Sequence, residues 1–189
     1  METLGISPPP LTPLAPGTTP EATAAILGAI QELNASADLR SGLARVAEHL
    51  RSCIAYDSLG ILLLDDLGRE LKFEFTAGIP PEVAEHWRFG LGQGIVGTVA
   101  RERRPLRVGD VARDARYIRA SDGMKSELAV PLLVRERAIG VLDVCSARAH
   151  FFTEEHERLL AFLAGFLAGA IENARLYKNL HEQARTLSV

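Results

Sequence analysis

Two apolar segments, Ser126 to Val134 and Ala138 to Ser146, are separated by only Arg135, Glu136 and Arg137. So short a connection joins antiparallel strands, because parallel neighbours need a crossover of about a dozen residues or more. The two segments therefore predict a β-hairpin. This feature constrains the chain more than any other, since it commits the sheet to antiparallel pairing.

A second hairpin is predicted earlier in the chain. Ser58 to Leu64 is an apolar run that ends at a polar turn, Asp65 to Arg69. Leu71, Phe73 and Phe75 then alternate with polar residues, which is typical of a half-exposed strand with these three side chains on one face. Helical patterns precede, separate and follow the two hairpins. The sequence therefore predicts an α+β domain with a largely antiparallel sheet.

The composition is that of an ordinary globular domain. Of 189 residues, 47% are hydrophobic and 24% are charged, with a net charge of −3, which argues against nucleic acid as a partner. No uninterrupted apolar run is long enough to cross a bilayer and no signal peptide is recognised, so no membrane association is predicted. Cys53 and Cys145 lie in apolar segments and are interpreted as free thiols of a cytoplasmic protein.

The stretch from Phe89 to Gly97 contains four glycines and leads directly into a helical pattern. Gly92, Gly94 and Gly97 match the spacing of a dinucleotide-binding fingerprint. That fingerprint follows a buried strand, whereas residues 82–88 are predicted as helix or loop. The stretch is therefore predicted to turn the chain and to begin a helix that walls a pocket, rather than to bind a dinucleotide.

The order of these landmarks resembles that of a GAF domain. The motifs that carry the resemblance are the glycine-rich stretch, Arg104-Pro105-Leu106, Asp114-Ala115-Arg116-Tyr117, Ser126-Glu127-Leu128-Ala129-Val130-Pro131-Leu132, Ile139-Gly140-Val141-Leu142-Asp143-Val144, Phe152-Thr153 and Ala170 to Tyr177. Each motif alone is weak, but the ordered set is specific. The chain is accordingly divided into a disordered proline-rich tail over 1–19, a GAF domain over 20–178 and a helical extension over 179–189.

The resemblance implies a sheet of about six antiparallel strands with the N- and C-terminal helices on one face. A small-molecule pocket is expected on the other face, under a roof formed by residues 80–125. The candidate ligand-contacting residues are Phe73, Phe75, Trp87, Phe89, Gly94, Ile95, Val96, Asp110, Arg116, Tyr117 and Ser126. The aromatic residues either line this pocket or fill it as core. Roof arginines such as Arg116 either hold an anionic ligand or form ion pairs within the loop.

The sequence does not name the ligand. GAF domains that bind cyclic nucleotides carry a Phe-x-x-x-Asp-Glu pattern, but Phe152 is followed at that spacing by His156 and Glu157, which disfavours a cyclic nucleotide without excluding one. No cofactor is identified. The five histidines lack metal-ligand spacing, so no metal site is predicted.

GAF domains are usually regulatory, and the sequence is interpreted as having no enzymatic activity. Free methionine-(R)-sulfoxide reductases, which are enzymes on this fold, use cysteines around the pocket roof, and no cysteine lies between Ile54 and Val144. Cys145 has no nearby cationic cluster in the sequence to favour its thiolate. A redox or ligand-modifying enzyme of that type and a purely structural dimerisation domain stay as alternatives.

Residues 151–155 are predicted to cap a last helix that continues to about Leu187, and its apolar positions follow a seven-residue repeat through Leu163, Ala170 and Tyr177. Such a repeat favours pairing with the same helix of a second chain. The leading hypothesis is a cytoplasmic signal-transduction module, as in two-component systems. It would sense a small molecule, form a homodimer through its terminal helices, or both, and act on an output domain or partner protein.

Overall fold

The computed structural model describes residues 38–119 and 122–186, with single positions at 24, 28 and 31 and with side chains up to Tyr177. The predicted tail over 1–19 and the side chains of the extension over 179–189 lie outside the described residues.

A six-stranded antiparallel sheet forms the centre of the domain. Its strands are β1 (Ser58–Leu64), β2 (Glu70–Ala77), β3 (Arg88–Gly90), β4 (Leu106–Val108), β5 (Ser126–Val134) and β6 (Arg137–Ser146). Their order in the sheet is β3-β2-β1-β6-β5-β4. Both predicted hairpins are present, and pairing of β1 with β6 joins them. The α+β fold with about six antiparallel strands is confirmed.

Four helices are described in this part of the chain. They are α1 (Leu39–Cys53), α2 (Pro81–His86), α3 (Gly94–Glu102) and α4 (Glu154–Thr186), and a 3₁₀ turn covers Val111–Arg113. The start of α1 is fixed by Asp38, whose carboxylate accepts a hydrogen bond of 2.9 Å from the Ser41 N–H. Thr153 caps α4 in the same way, accepting from the His156 N–H at 3.2 Å. Such caps satisfy N–H groups that have no partner within the helix.

The helices α1 and α4 pack on one face of the sheet and form the helix-side core. Its fully buried residues include Leu43, Leu128, Leu160 and Leu167. Burial of each such side chain contributes about 1.5–3 kcal/mol, so this face supplies much of the stabilisation. The other face carries a separate cluster that includes Leu62, and α3 packs there.

By length and composition alone, Glu154–Tyr177 within α4 is apolar enough to cross a membrane. The sequence interpretation considered only uninterrupted apolar runs and therefore did not identify it. In the fold, Leu163 and Ile171 lie buried in the helix-side core, which accounts for the apolar character of the helix. Tyr177 is 67% exposed, and pairing of this helix with a second chain stays a prediction.

The strand β3 replaces part of the segment predicted as helix or loop. Arg88–Gly90 pairs with β2 as an antiparallel edge strand. A dinucleotide site requires a parallel strand ahead of its glycines, so the topology still argues against that interpretation.

A β-bulge in β2 separates Phe73 from Phe75. Leu62 pairs with Phe73, whereas its neighbour Ile61 pairs with Phe75, so Glu74 is an extra residue on β2. One extra residue reverses the alternation of side chains. Phe73 therefore packs on the face that carries α3, and Phe75 lies in the helix-side core. The expectation that both rings share one face is corrected.

Close packing at Gly97 gives a test of the contact between the glycine-rich loop and α3. A Cβ at Gly97 would collide with the carbonyl oxygen of Gly90, whereas a Cβ at Gly165 in α4 would meet nothing within 4 Å. We expect Gly97→Ala to lower the free energy of unfolding by about 1–3 kcal/mol. Gly165→Ala should raise it by about 0.5–1 kcal/mol, because alanine restricts the unfolded chain. Urea denaturation measures both, and equal stability of the two variants would contradict the packing.

Candidate functional site

An inner cavity of about 40 Å³ lies on the sheet face opposite α1 and α4. Its floor comes from β1, β5 and β6, and its walls from β2, β3, the start of α3 and the segment after the 3₁₀ turn. The residues that line it are Ser58, Phe73, Ile79, Phe89, Gly94, Ile95, Val96, Tyr117, Ile118, Glu127, Asp143 and Cys145.

Strand alternation explains why three chemically active side chains meet on the floor. Leu128 and Val144 belong to the helix-side core, so their neighbours Glu127, Asp143 and Cys145 project from the opposite face. Glu127 pairs directly with Cys145 across β5 and β6. One ligand-type atom from each of the three side chains lies within 4.8 Å of the others.

The two carboxyl groups are deeply buried. Glu127 is 5% exposed and Asp143 is 8% exposed, and an oxygen of each carboxyl group lies within 4.8 Å of an oxygen of the other. The Cys145 thiol donates to Asp143 Oδ2 at 3.6 Å. Asp143 Oδ1 is buried without a hydrogen-bond partner among the described residues. An unsatisfied buried acceptor costs about 1–3 kcal/mol, so this atom is poised to accept a hydrogen bond.

Burial is the main cause of the shifted pKa values of Glu127, Asp143 and Cys145. It raises the pKa of Glu127 well above its usual range, and the nearby Asp143 charge raises it further. Burial also raises the pKa of Asp143, to about 7. The pKa of the Cys145 thiol is raised by burial and by both carboxylates, which disfavours its thiolate. The pKa of Tyr117 is raised to about 12, mainly by burial.

The walls above this acidic floor are largely apolar and aromatic. Phe73 and Phe89 meet edge to face, with ring centroids 6.2 Å apart. Trp87 is not among the lining residues but stacks on Phe89 at 5.5 Å and thereby supports the wall. The cavity therefore combines a polar floor with apolar sides, which is typical of sites for small molecules.

The structure brings about half of the predicted site residues together. The predicted residues that line the inner cavity are Phe73, Phe89, Gly94, Ile95, Val96 and Tyr117. Phe75 is excluded from it by the bulge. Ser126 lies on the opposite face, where its hydroxyl donates to the Arg148 carbonyl at 2.7 Å, because it precedes Glu127 on the strand.

Asp110 and Arg116 lie outside the inner cavity, along an exposed outer groove. Asp110 caps the 3₁₀ turn, since its carboxylate accepts from the Ala112 N–H at 3.1 Å. Arg116 forms an ion pair of 2.6 Å with Asp114. Of the two roles expected for Arg116, holding an anionic ligand and pairing within the loop, the structure thus shows the ion pair within the loop.

Sequence reasoning missed the groups with the most chemistry. The lining residues absent from the predicted site are Ser58, Ile79, Ile118, Glu127, Asp143 and Cys145. A signal was available, because Glu127 and Asp143 are charged residues inside otherwise apolar strands. Buried charges require compensation, so such positions deserve a functional hypothesis.

The family model described as GAF domain matches residues 36–172. GAF domain-containing protein A of Dictyostelium discoideum is 37% identical over 120 residues, which cover 64% of this chain and 73% of that protein. The Nif-specific regulatory protein of Herbaspirillum seropedicae is 26% identical over 172 residues, 82% of this chain and 31% of that protein. Free methionine-R-sulfoxide reductase of Escherichia coli is 34% identical over 80 residues, 42% of this chain and 48% of that enzyme.

Solved structures of both a GAF domain and a free methionine-R-sulfoxide reductase have a similar fold. The GAF domain of an Acinetobacter phosphoenolpyruvate-protein phosphotransferase aligns with a TM-score of 0.76 at 25% identity, covering 86% of this chain and 99% of that one. Free methionine-R-sulfoxide reductase of Neisseria meningitidis, solved with its substrate, aligns with a TM-score of 0.73 at 26% identity, covering 85% of this chain and 95% of that one.

These relatives correct one interpretation of the sequence. The prediction that the chain has no enzymatic activity is wrong as it stands, because enzymes occur among both its sequence relatives and its structural neighbours. The prediction relied on the lack of cysteines in the roof segment. It also dismissed Cys145 because no cationic cluster lies near it in the sequence, whereas the fold places the Cys145 thiol in the inner cavity.

Neutralising Asp143 tests the electrostatics of the floor. Its pKa is about 7 in the folded protein against an ordinary 3.8, so the free energy of unfolding should fall as pH rises from about 4 to 7. We expect Asp143→Asn to remove this pH-dependent fall in stability. The free energy of unfolding of the variant, relative to that of the wild type, should therefore be higher at pH 8 than at pH 5 by about 1–3 kcal/mol. Urea denaturation at both pH values, in buffer with a chelator, measures the difference.

Asp65→Asn is the matched control. The pKa of Asp65 is lowered by hydrogen bonds from the Arg69 and Glu70 N–H groups. Its ionised form therefore stabilises the fold, and the variant should lose stability at pH 8 relative to the wild type. A stabilising effect of Asp143→Asn that is the same at both pH values would contradict the assignment.

Proposed function

Because the chain belongs to the GAF domain family, we propose that it is a regulatory module that binds a small molecule in the inner cavity. The observation that carries this proposal is Asp143 Oδ1, a buried acceptor without a partner among the described residues. It lies beside a second buried carboxyl group, Glu127. A ligand head that supplies N–H donors or positive charge would satisfy both groups, as a primary ammonium does.

The cavity walls determine which chemical group can be attached to the ammonium head of the ligand. Phe73, Ile79 and Phe89 present apolar surface above the acidic floor, so a short apolar substituent fits best. A buried water needs about 10–15 Å³ by the same measure of volume. The 40 Å³ of the inner cavity therefore accepts a head group but not a nucleotide, unless the roof moves.

The part of the roof between residues 111 and 125 is anchored at both ends. Its ends are joined by a hydrogen bond of 2.9 Å from the Val111 N–H to the Lys125 carbonyl, and the Lys125 N–H donates to the Ser146 carbonyl at 2.8 Å. Tyr117 and Ile118, which close the cavity, lie between these anchors. A ligand that displaces them would shift the population between two packings of the roof.

The route of the signal from the cavity follows the sheet. Glu127 lies on β5, and the other face of β5 packs against α4 through Leu128 and Leu160. We expect a change at Glu127 to reach α4 across this one layer. The matched part of the regulatory relative is 31% of its length, so an output domain or partner protein beyond this chain is part of the proposal.

Removal of one carboxylate tests ligand binding. The probes are n-propylamine and free methionine-R-sulfoxide, each of which carries an amino group and a short apolar part, added to chelator-treated protein. We expect both to raise the melting temperature of the wild type. Glu127→Gln should weaken binding by about tenfold to a hundredfold, because the glutamine amide cannot ionise and pair with the bound ammonium.

The control variant is Glu74→Gln, which neutralises an exposed carboxylate on β2. It should bind both probes as the wild type does. Equal binding by Glu127→Gln and Glu74→Gln would contradict the site. If the wild type binds neither probe, the proposal fails and a purely structural module is favoured.

A second candidate function is reduction of a sulfoxide, favoured by the thiol of Cys145 in the same cavity. In this reaction the thiol sulfur accepts the sulfoxide oxygen, so a thioether leaves and Cys145 becomes a sulfenic acid. An external dithiol then reduces the sulfenic acid back to the thiol and releases water. The raised pKa of Cys145 works against this step, since the thiolate is the nucleophile.

Turnover distinguishes the two functions. If the second candidate is correct, the protein converts free methionine-R-sulfoxide to methionine with dithiothreitol as reductant, and Cys145→Ser abolishes this. Cys53→Ser should leave turnover unchanged, because Cys53 packs against the helix-side core. Binding of the sulfoxide without formation of methionine, measured by amino-acid chromatography, would eliminate the enzyme and leave the regulatory proposal intact.

A further inference from the structure

The geometry points to a divalent metal site formed by Glu127, Asp143 and Cys145 on the floor of the inner cavity. The three side chains come from neighbouring strands of one sheet and offer two carboxylate oxygens and a sulfur within 4.8 Å of one another. This inference rests on the proposed function only in that both use the same cavity.

The spacing of the donor atoms suits a metal. Cys145 Sγ lies 3.6 Å from Asp143 Oδ2. Around a tetrahedral zinc ion, bonds of about 2.3 Å to sulfur and 2.0 Å to oxygen place these two atoms about 3.5 Å apart. The observed separation therefore matches that of two ligands of one ion without movement of the strands.

A second observation is independent of the clustering. Asp143 is 8% exposed, and its Oδ1 has no hydrogen-bond partner among the described residues while it lines the cavity. Two buried carboxyl groups side by side favour any cation between them. A metal ion would satisfy the free oxygen and offset the like charges in one step.

The donor set selects the class of metal. A cysteine sulfur is a poor ligand for Mg²⁺ and Ca²⁺, which prefer oxygen, whereas Zn²⁺ and Co²⁺ accept sulfur together with carboxylates. Three protein ligands leave one tetrahedral position free. The 40 Å³ of the cavity has room for a water or a ligand atom at that position, as in zinc sites that are open to substrate.

A bound metal would also change the class of small molecule that the inner cavity binds. Without it, the carboxylates receive N–H donors. With it, the free position takes an electron-pair donor such as a carboxylate or sulfoxide oxygen. The metal and the amine compete for the same oxygens, so each can be tested in the absence of the other.

The experiment titrates chelator-treated full chain with Zn²⁺ by calorimetry and with Co²⁺ by absorption spectroscopy, without organic ligand. We expect one Zn²⁺ per chain and a sulfur-to-cobalt charge-transfer band. Cys145→Ser should lose the band and weaken Zn²⁺ binding at least about tenfold. Asp143→Asn, which keeps the size of the side chain, should weaken Zn²⁺ binding similarly while keeping the fold.

The matched control is Cys53→Ser, which removes the other thiol of the chain and should leave the band and the Zn²⁺ affinity unchanged. The metal site is overturned if the wild type binds no Zn²⁺, or if Asp143→Asn, shown to be folded by circular dichroism, binds Zn²⁺ as tightly as the wild type. In that case the two carboxyl groups share a proton instead. Binding of n-propylamine to the chelated protein would then still support the proposed function.

Discussion

The pairing of β6 with β1 on one side and with β5 on the other organises the molecule. Because side chains alternate along a strand, these strands send alternate residues to the helix-side core and to the opposite face, where the inner cavity lies. Leu142 and Val144 thus enter the core, while Asp143 and Cys145 reach the inner cavity. The same backbone hydrogen bonds support the core and hold the reactive groups, so those groups are positioned by paired strands rather than by a loop.

The chemistry of the cavity follows from burying like charges together. Burial raises the pKa of both Glu127 and Asp143, and the two carboxyl groups in turn raise the pKa of Cys145. A chain selected for stability alone would place apolar residues there. The presence of two buried acidic groups, one with an unsatisfied acceptor, is the physical basis for proposing a cationic or donor-rich ligand.

Local sequence patterns predicted most of the strands and helices, because hairpin connections and apolar periodicity report on neighbours along the chain. They failed where a contact between distant segments decides the outcome. The short strand Arg88–Gly90 forms only because β2 offers it an edge. Phe73 and Phe75 are separated by a bulge. The alternation does not reveal it, because both faces of the sheet carry an apolar cluster and each ring finds apolar neighbours on its own face.

The sequence by itself determined the antiparallel α+β fold, the family and six of the residues around the cavity, since ordered motifs and short connections encode them locally. Only the tertiary structure decided that Glu127, Asp143 and Cys145 meet on one floor, and that Asp110 and Arg116 lie in a different groove. The physical reason is register: which residues face each other across β5 and β6 is fixed by pairing between strands, and one residue of slip would send every side chain to the other face.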